Sequence, residues 1–122
     1  MAHRLTRAAE DRIDATLLES ARVHGIEAAG RYGLPILAAM ASLGDDPHSP
    51  GSREVLRLSG IRAYPIRLSR MRVESARRVR VPRHIIVYRV AADGVVEIPG
   101  LVHDRMVLSR AARRAVEDAD EP

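Results

Sequence analysis

The 122-residue sequence predicts a single α+β domain in which a helical hairpin precedes an antiparallel sheet. Three observations predict it. Apolar residues recur at helical spacing in two consecutive stretches that end near Gly44. From Ile61 onward the pattern changes to strand-like. The stretch Ala91-Ala92-Asp93-Gly94 then sets an Asp-Gly turn between two apolar runs, the signal of a β-hairpin.

Each element has its local reason. His3 to Leu5 is too short to judge from its own residues, but Thr6 is a suitable N-cap for a helix opening with Arg7, Ala8, Ala9 and Glu10. Ile13, Leu17, Ala21 and His24 form its stripe, and Gly25 is placed to close it. Ala29, Tyr32, Ile36, Met40 and Leu43 form a second stripe, so the two helices read as an αα-hairpin. Pro35 inside that stripe predicts a kink or a helix that starts at about Leu34. Residues 47–53 hold two prolines, a glycine and two serines and read as a loop. Ile61 to Leu68 is a candidate strand interrupted by Pro65, and Arg70 to Pro82 is an arginine-rich excursion without a clear period. Arg83 to Val90 is the strongest strand, Val95 to Val102 its antiparallel return, and Ser109 to Ala119 a short C-terminal helix.

Alternation along the hairpin divides its side chains between two faces. Ile85, Val87 and Arg89 fall with Val96, Ile98, Gly100 and Val102 on a nearly apolar face, which the helical hairpin is expected to cover. His84, Ile86, Tyr88 and Val90 fall with Val95, Glu97, Pro99, Leu101, His103 and Arg105 on a mixed face, where function is expected. Pro99-Gly100 predicts a bulge or an edge position in the last strand, because proline withdraws a ladder donor and glycine fills no space.

Composition narrows the class of protein. There is no cysteine, hence no disulfide framework or thiolate metal site, which points to a reducing compartment. The longest apolar run, Leu34 to Ala41, contains Pro35 and is far shorter than the roughly 20 residues that span a bilayer. The charged N-terminus lacks a signal-peptide apolar region, so a soluble, cytoplasmic protein is expected. All twenty basic residues besides histidine are arginines, and they are unevenly spread. Residues 62–90 carry nine arginines against Glu74 alone, whereas the flanking segments are slightly acidic, ending in Glu117, Asp118, Asp120 and Glu121. Such a block attracts polyanions. Only Tyr64 and Tyr88 lie within it, which disfavours a dedicated single-strand RNA-binding sheet.

Three stretches carry a family resemblance. The opening His3-Arg4-Leu5-Thr6-Arg7-Ala8-Ala9-Glu10-Asp11, the segment Gly60-Ile61-Arg62-Ala63-Tyr64, and Arg83-His84-Ile85-Ile86-Val87-Tyr88-Arg89 with Val96-Glu97-Ile98 and Leu101-Val102-His103-Asp104-Arg105-Met106 resemble ParE-type toxins of the RelE/ParE toxin–antitoxin superfamily. The likeness lies in their order and spacing and runs over roughly residues 2–110. It implies one RelE/ParE-like domain over residues 1–122, with its core at about 2–108 and a short helix and acidic tail at 109–122. An N-terminal strand and helical hairpin would pack on an antiparallel sheet. Two departures stand out: Pro99 and Gly100 occupy positions where ParE-like chains carry a hydrophobic residue and an arginine, and the Arg70–Pro82 excursion exceeds the usual tight connection.

The function that the resemblance implies is a toxin of a type II pair, of the kind that stabilises plasmids or chromosomes. It would inhibit DNA gyrase and be neutralised by a cognate antitoxin through an amphipathic C-terminal segment. On that reading the chain is a protein inhibitor rather than an enzyme, without direct sequence-specific nucleic-acid binding. Its partner-binding residues are expected to be Arg62, Arg67, Arg83, His84, Tyr88, Arg89, His103 and Arg105. The alternative is a RelE-like ribosome-dependent mRNA endonuclease using Glu97, His103 and Arg105, with a base for the 2′-hydroxyl, an acid for the leaving oxygen and an arginine for the developing charge. Arg62 and Arg89 are equally suited to supporting the fold, and Tyr32 reads as core. His84 and His103 face each other in one hairpin register, yet no third ligand stands at suitable spacing, so neither metal nor cofactor is expected.

Overall fold

A computed structural model describes residues 3–121. Residue 2, where the expected domain core begins, lies outside that range, as does the last residue. The elements are β1 (His3–Leu5), α1 (Arg7–His24), α2 (Ile26–Asp45), β2 (Arg53–Glu54), β3 (Arg62–Pro65), β4 (His84–Val90), β5 (Val96–His103) and α3 (Leu108–Asp120). They form an α+β domain with one sheet in the order β1-β5-β4-β3-β2. β2 to β5 are antiparallel, and β1 joins β5 in parallel, so the sheet is mixed rather than wholly antiparallel.

Thr6 caps α1 as its residue type predicts, its Oγ1 accepting the Ala9 amide at 3.1 Å. Gly25, at φ 93°, separates α1 from α2 with a backbone that a side chain would oppose. α2 begins directly after it and runs through Pro35, not from Leu34 as one expectation had it. The lost hydrogen bond is offset by burial: Pro35, Ile36, Ala39, Met40 and Leu43 all face inward from this helix.

β3 stops at Pro65, short of the expected Leu68, because proline ends the ladder, and a 3-10 turn follows over Ile66–Arg72. A second turn covers Ser75–Arg77. The excursion is held by its own guanidinium groups: Arg70 Nε donates to Val79 O at 2.8 Å, and Arg78 Nε donates to Val73 O at 2.8 Å. Arg72 donates to Ser42 Oγ on α2. Part of the basic block is therefore internal scaffolding rather than solvated surface.

The two faces of the sheet differ from expectation. Between Val87 and Arg89 the β4–β5 register slips, with Val87 opposite Gly100 and Arg89 opposite Glu97, so β5 carries one extra residue at the predicted Pro99-Gly100 bulge. The bulge inverts the alternation along β5. Val96 and Ile98 consequently share a face with Leu101, Ile86, Tyr88 and Tyr64, and this face is the one that α1 and α2 cover. The other face, with Ile85, Val87, Ala63 and Val102, packs against Ala111, Ala112 and Val116 of α3 and against Val55 and Ile61. α3 comes so close that a Cβ on Gly100 would lie 2.6 Å from that of Ala115. Among the described residues no helix is long and apolar enough to cross a membrane.

Candidate functional site

The open end of the β4–β5 hairpin gathers the polar side chains. His84 begins β4 and His103 ends β5, directly opposite each other in register, with ring centroids 5.0 Å apart in an edge-to-face arrangement. α2 delivers Tyr32 to the same spot: its ring meets that of His84 edge-on at 5.5 Å, and its hydroxyl lies 2.5 Å from His84 Nδ1. The Tyr32 oxygen also accepts the Arg83 backbone N–H at 3.1 Å. With that acceptor role filled, the hydroxyl proton is free to point at Nδ1, which leaves the His84 proton on Nε2.

Electrostatics reinforce this assignment. Burial, and then the neighbouring His103, push the His84 imidazole down to about 4, so the ring is neutral at physiological pH. Burial likewise raises Tyr32. His103 Nδ1 accepts the Arg105 backbone N–H at 3.0 Å and stands 3.2 Å from Asp104 Oδ1. One nitrogen cannot accept from the amide and donate to the carboxylate together; with a neutral ring the amide is its partner. The Asp104 carboxylate is held instead by Arg83 Nε at 2.8 Å, which lowers its pKa.

Around this cluster lies an open groove of about 910 Å³ between α1, the start of α2 and residues 78–83. Arg12, Arg31, Arg78, Arg80 and Arg83 line it, against Glu19 alone among the described carboxylates. Apolar floor is supplied by residues such as Val23 and Val81, both more than half exposed.

The sequence-selected residues divide into two groups. Arg83, His84 and His103 come together here, Arg105 joins them only through its backbone amide, and Arg67 stands exposed on the 3-10 turn. Arg62, Tyr88 and Arg89 lie elsewhere and hold the fold together. Tyr88 is wholly buried and donates its hydroxyl to Pro47 O. Arg62 donates to Tyr88 Oη at 3.3 Å and to Ser52 Oγ at 2.9 Å. Arg89 binds Glu97 at 2.6 Å and Asp120 at 2.7 Å, tying α3 to the sheet.

Glu97 does not join His103 and Arg105. It sits on the α3 face near the closed end of the hairpin, bound by Arg89 and, at 3.2 Å, by Arg4. His103 is on the α1–α2 face, and at about 3.3 Å per residue it stands nearly 20 Å along β5 from Glu97. Tyr32 and the groove arginines 12 and 31 were not among the selected residues. The signal for Tyr32 was hidden, since its body packs against the core as a helical stripe residue does. Among the described residues no group of three or more His, Asp or Glu could hold a metal ion.

No protein-family model matches the chain, and no curated protein matches it in sequence.

Proposed function

We propose that the chain is the toxin of a type II toxin–antitoxin pair, of ParE type, that it inhibits DNA gyrase by binding, and that a cognate antitoxin neutralises it by direct contact. Support comes first from the strand, helical hairpin and sheet order, which agrees with what the resemblance implies. The observation that carries the binding reading over the nuclease reading is the position of Glu97. Its carboxylate is consumed by Arg4 and Arg89 on the face opposite His103, so the acid–base set for RNA cleavage is not assembled. With burial pushing its pKa down to about 4, His84 is a neutral imidazole near neutrality, not an imidazolium, and does not fill the role of general acid.

The endonuclease alternative keeps one observation in its favour: two imidazoles face each other beside Arg83 in a basic groove. The test is induction in growing cells together with a supercoiling assay on purified gyrase. The expected outcome is inhibited supercoiling, arrested replication and filamentation with translation continuing. Arrest of translation within minutes, with cleaved messages and unaffected gyrase, would reverse the assignment.

A further inference from the structure

The groove beside His84 combines features that a merely solvated surface does not need. Arg12, Arg31 and Arg80 converge on it, and their side chains make no ion pair or hydrogen bond among the described residues. Its one carboxylate, Glu19, is already bound by Arg22 at 2.6 Å, and the nearby Asp104 is bound by Arg83. The positive potential is therefore not neutralised locally. Of the chain's own acidic helix end, Asp120 is engaged by Arg89 at the other end of the hairpin, and Asp118 shares a small second cavity with Arg12 without forming an ion pair with it. Val23 and Val81 line the groove together with Arg12, Arg31 and Arg80 and are exposed at 52% and 58%. Exposed apolar surface framed by uncompensated charge marks an interaction site.

We infer that this groove is the docking site for an acidic amphipathic segment of a partner protein, with apolar side chains laid on Val23 and Val81 and carboxylates reaching Arg12, Arg31 and Arg80. Charge complementarity and the apolar floor fix that chemistry. A nucleic acid would want open aromatic faces to stack on. Of the rings lining the groove, Tyr32, His84 and His103 stand edge-on to one another, and the Tyr32 hydroxyl is already bonded. One wall, residues 78–83, belongs to the arginine-rich excursion, so the groove exists because that segment folds back onto α1. The inference rests on the neutralised-pair reading for one point only, that the segment belongs to the neutralising partner.

The probe is a synthetic Leu/Ala/Glu peptide of about 18 residues, five helical turns, with leucines on one face. Its shuffled isomer, which has the same charge and no apolar face, is the first control, and a single-stranded uridine oligomer is the second. Binding to the full chain is followed by fluorescence anisotropy at low and high salt, and the His84 and His103 ring signals by NMR. Arg31→Glu combined with Arg80→Glu changes two exposed, unpaired side chains, and Val81→Asp independently spoils the floor. The expected result is at least tenfold weaker binding of the amphipathic peptide to either variant at low salt. The loss from charge reversal should shrink at high salt, where the Debye length falls to a few ångströms, and the loss from Val81→Asp should persist. Equal binding of the shuffled peptide, tighter binding of the uridine oligomer, or no peptide binding at all would each overturn the inference. Growth arrest by the wild-type chain is scored separately. A chain that binds the peptide but never arrests growth refutes the toxin reading and leaves the groove assignment standing.

Discussion

His84 shows how a single buried ring couples site geometry to stability. Its neutral form is favoured in the folded protein, where the pKa is about 4, over the unfolded chain, where it is near 6.5. Below pH 6.5 the unfolded state takes up a proton first, so stability falls as pH drops from 6.5 toward 4 and is level with respect to this group above 6.5. Allowing for solvent screening of a partly exposed ring, the loss is on the order of 1–2 kcal/mol. Urea unfolding of wild type and His84→Gln at pH 7 and pH 4.5 checks this. The wild type should lose that increment relative to the variant. A pH dependence identical in both proteins would show that His84 titrates normally in the fold.

At the level of elements, the attachment of α3 depends on a glycine. A Cβ on Gly100 would stand 2.6 Å from the Ala115 Cβ, and neither atom is the end of a flexible side chain. Gly100→Ala should therefore cost about 1–3 kcal/mol by overpacking, and Ala115→Gly in the same chain should return most of it beyond its own helix-propensity cost of about 1 kcal/mol. Thermal unfolding of the two single variants and the double variant checks the coupling; additive losses would mean that α3 shifts freely. The same two residues explain where the sequence could be read and where it could not. Both hairpins and the C-terminal helix were legible because each has its own period or turn signal, and Pro99-Gly100 announced the bulge. Which face the helical hairpin would cover was not legible. One extra residue inverts everything on one side of it, and the exchanged positions, Val96 and Ile98 against Leu101, are alike in hydrophobicity. Of the two readings that Pro35 allows, a kink or a helix starting at about Leu34, the later start fails, because inward packing by Ile36, Met40 and Leu43 outweighs the local breaker. His84 opposite His103 followed from register alone, but Tyr32 and the groove needed residues 78–83 to fold back, and that return is made by guanidinium-to-carbonyl bonds without any sequence period.

The whole molecule separates its charges between the two ends of the β4–β5 hairpin. At the closed end Arg4, Arg89, Asp93, Glu97 and Asp120 satisfy one another, and at the open end Arg83 binds Asp104 while Arg12, Arg31 and Arg80 form no ion pair among the described residues. The closed-end network is a structural tie between β1, β4, β5 and α3, and this assigns Glu97 an effect distinct from the one a nuclease would require. Glu97→Gln leaves Arg89 bound to Asp120 and weakens two charge-assisted hydrogen bonds, which should lower stability by about 1–3 kcal/mol. Its potency per folded molecule should be unchanged, with any loss of growth arrest tracking the lower abundance of folded chain. Were Glu97 a general base, the same substitution would reduce the rate of message cleavage by roughly 10²–10⁴-fold at full folded abundance. Induction of Glu97→Gln and His103→Ala beside wild type, with folded protein quantified in each culture, separates the two. Full arrest by Glu97→Gln at matched folded abundance is the expected result, and a silent, fully folded Glu97→Gln protein would return the carboxylate to the chemistry.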